Sequence, residues 1–125
     1  IRLPENPLIF NANKELIKIA VRHLLNNSIE SIIGKGQITI SASQENDSIL
    51  LTIEDTGRGI SQEDLKNIFE PFYKTKDIHL TGLSLVKQIV LEHLGDITIE
   101  SILDKGTTIK IIFPVRWKER VSLQN

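Results

Sequence analysis

Four short runs of alternating apolar and polar residues, arranged in two pairs, do most to limit what this chain can fold into. In the first pair, Ile38, Ile40 and Ala42 alternate with Thr39, Ser41 and Ser43. The turn signal Glu45-Asn46-Asp47 then leads into residues 48–55, where Ile49, Leu51 and Ile53 share a face. In the second pair, Ile97 to Ser101 and Thr107 to Val115 flank the turn Asp104-Lys105-Gly106. A period of two buries one face of each strand and leaves the other to solvent, so both pairs read as hairpins of one half-buried sheet.

The intervening segments carry the helical period. From Asn13 to Ile33 a stripe runs through positions 16, 17, 20, 21, 24, 25, 28–29 and 32, and Gly34 and Gly36 are expected to end it. Ser61 opens a helix reaching about Phe69, with Asp64 as a loose capping box and Pro71 as its stop. Residues 71–82 read as a loop, and Leu83 to about His93 as a second strong helix closed by Gly95. Residues 8–10 suit a short edge strand. The polar tail 116–125 suits a frayed end, with Trp117 packed back on the body. The expected fold class is α+β: a two-layer α/β sandwich, one mixed sheet with three main helices on one face. Thr39, Ser41, Thr52, Glu54, Thr98, Glu100, Thr108 and Lys110 fall on the other, solvent face.

Composition narrows the function classes. With 125 residues the chain is the size of one domain, and its 40% apolar and 25% charged residues are those of a globular protein. A net charge of -1 supplies no field to recruit nucleic acid or an anionic membrane. No cysteine is present, which removes thiol nucleophiles, disulfides and thiolate metal sites. No apolar run approaches the roughly 18 residues that span a bilayer, and the expected location is cytoplasmic. The chain starts at Ile1 and enters a folded pattern almost at once, so it is expected to be one domain, 1–125 with a core of about 8–115, of a larger protein.

Three clusters carry chemistry. Asp55 continues the apolar row of Ile49, Leu51 and Ile53 and is followed by Gly57, Gly59 and Ile60. A carboxylate at the rim of a core needs donors. It either caps its own turn, with the glycines supplying positive φ, or accepts an amino group from a flat ring that the glycines let approach. On the first helix, His23, Asn27 and Glu30 form one polar stripe, either a solvated flank or a place for Mg²⁺ on a single amide oxygen. The lysine-bearing loop 73–82 runs into the Leu83 helix and suits either plain solvation or phosphate held at a helix start.

In order along the chain, HLLNNSIES, EDTGRGI, FEPFYKTK and TGLSLVKQIV resemble the N, G1, F and G2 boxes of sensor histidine kinases, over about residues 8 to 115. That family has the Bergerat nucleotide-binding fold, shared with type II topoisomerase, heat-shock chaperone and mismatch-repair ATPases. The resemblance implies an ATP site with Mg²⁺. In it Asp55 accepts the adenine amino group, Gly57, Gly59 and Ile60 form the turn beside the ring, and Thr107 places a hydroxyl next to the acid. Asn27 is the implied Mg²⁺ ligand. Phe69 and Phe72 would flank the lid, Lys76 would be its cation, and Gly82 and Leu83 would begin the phosphate-facing helix.

The chain departs from the family in three places. Only Gly82 remains where the family has Gly-x-Gly-x-Gly, and the lid is a few residues short, which implies a weaker phosphate cradle. His23 stands where the family usually has Asn, and Glu30 where some members carry Lys. The implied activity is protein-histidine kinase, delivering the γ-phosphate to a histidine on a separate dimerisation domain for relay to a response regulator receiver. None of His23, His79 and His93 sits in an acceptor box, so the acceptor is expected outside this chain. The alternatives are a self-contained Bergerat ATPase, whose water-activating Glu is missing at position 23, and an anti-sigma-type or pseudokinase domain that binds proteins. No nucleic acid and no direct membrane contact are expected.

Overall fold

The computed structural model describes residues 12–70 and 82–114. Its elements are α1 (Lys14–Ser31), β1 (Ile38–Glu45), β2 (Ser48–Asp55), α2 (Gln62–Asn67), α3 (Leu83–Glu92), β3 (Asp96–Ile102) and β4 (Gly106–Pro114). The candidate strand 8–10, the loop 71–81 and the tail with Trp117 lie outside the described residues.

Both hairpins form as the alternation requires. β1 and β2 pair from Ile38 opposite Asp55 to Glu45 opposite Ser48, closed by Asn46 and Asp47, with Asn46 in the left-handed region at φ 54°. β3 and β4 pair from Asp96 opposite Ile112 to Ile102 opposite Gly106. The hairpins join at an antiparallel β2–β4 seam, giving the order β1-β2-β4-β3. Among the described residues the sheet is therefore antiparallel throughout and not mixed, because two hairpins laid side by side with an antiparallel seam contain no parallel pair.

Helix starts follow their caps. Asn13 Oδ1 accepts from the N–H groups of Glu15 (3.1 Å) and Leu16 (3.2 Å), and Ser61 Oγ accepts from Asp64 N–H at 3.2 Å. Helix ends differ from expectation. α1 stops at Ser31, before Gly34, because Ile32 turns to extended backbone and the Ser31 carbonyl accepts Arg58 N–H at 3.0 Å. A loop distant in sequence thus closes the helix. α2 is only six residues long, and its stabilising burial comes just after it, at Ile68.

One core lies between the layers. Ala20 and Leu24 of α1 and Val86, Ile89 and Val90 of α3 pack on Ile53, Ile97, Ile109, Ile111 and Phe113 of the sheet. The opposite sheet face carries Glu54, Thr98, Glu100 and Lys110, all exposed. The result is the two-layer α+β arrangement, with the Asp55 end of β2 at the edge of the core.

Candidate functional site

The inward row of β2 ends on Asp55, and register does the rest. Asp55 lies directly opposite Thr107 across the β2–β4 seam and is only 6% exposed. Its Oδ1 accepts from Gly57 N–H at 2.9 Å, and its Oδ2 accepts from the Ser28 hydroxyl at 2.9 Å. Ser31 Oγ is 3.4 Å from Oδ1, but its hydrogen is directed to the Ser28 carbonyl, 2.8 Å away. Two firm donors meet the buried carboxylate, fewer than its lone pairs can use, so it retains acceptor capacity toward the space beside it.

That space is a cavity lined by Asn27, Ser28, Asp55, Gly59, Ile60 and Thr107, among others, with Leu83 and Ile109 as apolar wall. It measures about 20 Å³, room for a water but not for a ring. Asn27 is 9% exposed, and its amide nitrogen is buried without a hydrogen-bond partner among the described residues. On the far side Ser101 Oγ accepts Ile60 N–H (2.8 Å), contacts Gly106 O (2.9 Å) and meets Thr107 Oγ1 at 2.8 Å. If Ser101 donates to the Gly106 carbonyl, the Thr107 hydroxyl donates to Ser101 and keeps its lone pairs for the cavity.

The two glycines after Asp55 serve the packing of the chain on itself. A Cβ on Gly57 would fall 2.0 Å from Ser31 Oγ and 2.9 Å from the Ser31 carbonyl. Gly59 has φ +73° and a Cβ there would fall 2.2 Å from the Ile102 carbonyl. The loop they form is also tied at Thr56 N–H to Gln37 O (3.1 Å) and at Arg58 O to Asp104 N–H (2.6 Å). Asp55 therefore sits in a junction held by α1, β1 and the β3–β4 turn at once.

Of the residues singled out from sequence, Asn27, Asp55, Gly59, Ile60, Leu83 and Thr107 come together around this cavity. Gly57 touches it only through its bond to Asp55. Gly82 is the N-cap of α3 at φ 88°, packed on the half-buried ring of His23. Glu30 is exposed, so the polar stripe splits along its length. Phe69 lies away from the cavity, its ring centroid 4.8 Å from Lys87 Nζ. Phe72 and Lys76 lie outside the described residues.

Known proteins resemble this chain in sequence and fold. Residues 12–116 match the family described as histidine kinase-, DNA gyrase B- and HSP90-like ATPases. Sporulation kinase D of Bacillus subtilis is 40% identical over 115 residues, covering 90% of this chain and 22% of that protein. The signal transduction histidine-protein kinase AtoS of Escherichia coli is 37% identical over 107 residues, 84% of this chain and 18% of that protein. The catalytic domain of histidine kinase ThkA, in a nucleotide-free form, superposes with a TM-score of 0.81 at 28% identity, over 91% of this chain and 77% of that one. The chain belongs to this family.

It is a catalytic domain of the sensor histidine kinase type, and it spans about a fifth of the length of these two curated relatives. Within this histidine kinase domain, three buried hydroxyls around Asp55 and Thr107 were missed from sequence: Ser28, Ser31 and Ser101. A signal for the first two existed. Positions 20, 24, 28 and 31 form one helical stripe, and small polar residues continuing a buried stripe mark a place where a helix faces something polar. Among the described residues no helix is long and apolar enough to cross a membrane, and no group of three or more His, Cys, Asp or Glu could hold a metal.

Proposed function

We propose that the cavity beside Asp55 receives the adenine of ATP, with the amino group of the base donating to the carboxylate. The observation that carries this reading is the buried Asp55 carboxylate, held by Gly57 N–H and Ser28 Oγ, with acceptor capacity left toward a cavity that Ile60, Leu83, Ile99 and Ile109 wall on its apolar side. Thr107 presents its hydroxyl beside the acid, and Ile60 and Leu83 contribute apolar contact for a ring. The cavity must widen to admit a base, since its present volume holds about one water.

Mg²⁺ fits the opposite side of this site through one residue. Asn27 lines the cavity, and its amide oxygen would be the ligand, with phosphate and water filling the remaining positions, while its amide nitrogen, unpartnered among the described residues, would suit a phosphate oxygen. The ion would supply charge neutralisation on the phosphates. The chain's own part is to hold the base and to orient the phosphates near the start of α3, where Gly82 would face them. The larger protein then uses this domain to pass the γ-phosphate to a histidine on a dimerisation domain and on to a response regulator, in a cytoplasmic setting.

The deciding experiment is calorimetric titration of Mg-ATP and of adenosine into the wild-type chain and Asp55→Asn. The substitution turns an acceptor into a donor facing the amino group, and affinity for both ligands is expected to fall by about 2–4 kcal/mol. Unchanged affinity in a folded variant would refute the base contact.

A further inference from the structure

A second cavity lies under the first half of α1 and shares no lining residue with the one beside Asp55. Ile17, Ala20 and Val21 of α1 meet Ala42, Leu51 and Phe113 of the sheet around it, and every described residue that lines it is apolar. It measures about 190 Å³. A cavity of roughly 150 Å³ lined by Leu, Ile and Phe takes a benzene-sized ring, so this one has room for an aromatic side chain. Ile17, Val21, Ala42 and Leu51 are only half-buried, so part of this apolar wall gains by being covered.

The chain carries a ring at the right place. β4 ends at Pro114, one residue past Phe113 in the cavity wall. Ile109, Ile111 and Phe113 are buried on the inward side of the strand. The same period of two assigns Val115 and Trp117 to that side and Arg116 and Lys118 to the other, an alternation of apolar and basic residues in phase with β4. The ladder stops at this point: Pro114 pairs with Ser48, the first residue of β2, and Ile112 pairs with Asp96, the first residue of β3. Neither neighbouring strand fixes the direction of the chain beyond it. Four residues from Phe113 reach at most about 14 Å, which keeps Trp117 within range of the cavity.

We propose that the apolar cavity under α1 is the docking site of the segment that follows β4, with Val115 at its mouth and the Trp117 ring seated against Ile17, Val21 and Ala42. The segment is then a strap from the end of the sheet to the first turns of α1. About two turns further along, the same helix carries Asn27 and Ser28, so the strap braces from one end the element that builds the Asp55 cavity from the other. The inference stands apart from the nucleotide reading and holds whether or not the Asp55 cavity receives adenine.

Trp117 is the chain's one tryptophan, so its fluorescence reports this contact directly. In the 125-residue chain, acrylamide should quench Trp117 several-fold less than in the urea-denatured chain, and its emission should lie to the blue. Ala42→Leu fills part of the cavity from β1 and should move both signals toward their denatured values. Trp117→Ala should lower the urea midpoint in the wild-type background and lower it much less in Ala42→Leu, the non-additivity of two residues that share one cavity. If Ala42→Leu fails to fold, Ala42→Val should give the same signs with smaller changes. Trp117 quenched as readily in the folded as in the denatured chain would overturn the proposal. So would a shielded ring whose signal and whose cost of removal are unchanged by filling the cavity, since Trp117 is then buried elsewhere. If Phe10→Ala and not Trp117→Ala loses its cost in Ala42→Leu, the occupant is the segment before α1 and the proposal fails. Shielding that disappears on dilution of the chain overturns it too, in favour of the tail of a second copy.

Discussion

At the scale of single residues, the site is a buried acid whose surroundings are hydroxyls and one unsatisfied amide. A lost partner for a buried polar atom costs about 1–3 kcal/mol, so Asn27 is an expensive residue to keep without a ligand. If the amide nitrogen meets a phosphate oxygen and the amide oxygen ligates Mg²⁺, Asn27→Ala should weaken Mg-ATP binding by at least about tenfold, the low end for disturbing a metal shell. Binding of metal-free adenosine should change little. Equal weakening of both ligands in parallel titrations would make Asn27 a structural residue. The glycines after Asp55 belong to the same scale. Their missing side chains are accounted for by Ser31 and Ile102, so the loop they shape is rigid because it is packed, not because it is adaptable.

At the scale of elements, α1 packs on α3 and on β2 and carries the polar side chains nearest Asp55. It starts on the Asn13 cap and ends on Arg58, and it carries Asn27, Ser28 and Ser31 on its inner side. Its first turn is also clipped to α3: the Asn13 N–H donates to His93 Nε2 at 2.9 Å, while His93 Nδ1 contacts Ile89 O at 2.8 Å. Those roles fit the neutral Nδ1–H tautomer, with the ring edge-on to Phe113. Asn13→Ala removes the cap acceptor but keeps the backbone clip, and it should lower stability by about 1 kcal/mol in denaturant titrations. Asn13→Gly should lose only a few tenths, since Gly tolerates the cap geometry. An Ala variant as stable as wild type would show that the Oδ1 bonds contribute nothing.

At the scale of the whole molecule, a sheet of two hairpins with α1 and α3 on one face puts the Asp55 end of β2 at the rim of the core, and among the described residues no histidine lines the cavity there. His93 has both ring nitrogens engaged within the chain, and His23 is half-buried against Gly82. The chain alone is therefore expected to bind Mg-ATP weakly, to hydrolyse it negligibly and to label none of its own histidines. Phosphoryl transfer should appear when a dimerisation segment carrying a histidine is added. Incubation with γ-labelled ATP, with and without that segment, checks this. Steady phosphate release by the chain alone would favour the ATPase alternative, and binding with no transfer to the added segment would favour a pseudokinase.

Much of this was legible in the residues themselves, for local reasons. Side-chain parity along a strand is set by its period, so the inward row Ile49, Leu51, Ile53, Asp55 could be read off directly, whereas Thr107 was set beside the acid by the family resemblance. Cap chemistry acts within three residues, so the starts at Asn13 and Ser61 were equally plain. The boxes hold five of the six residues that meet at the cavity, all but Thr107. What only the tertiary structure decided depends on partners far along the chain. The end of α1 lies at Ser31 because Arg58 reaches it, and the antiparallel seam depends on how one hairpin docks on another. Gly57 and Gly59 answer to Ser31 and Ile102, and Ser28 matters because Asp55 arrives 27 residues later. A hydroxyl on a helix reads as neutral in sequence; it becomes part of a site only when folding brings a charge within 3 Å or so of it.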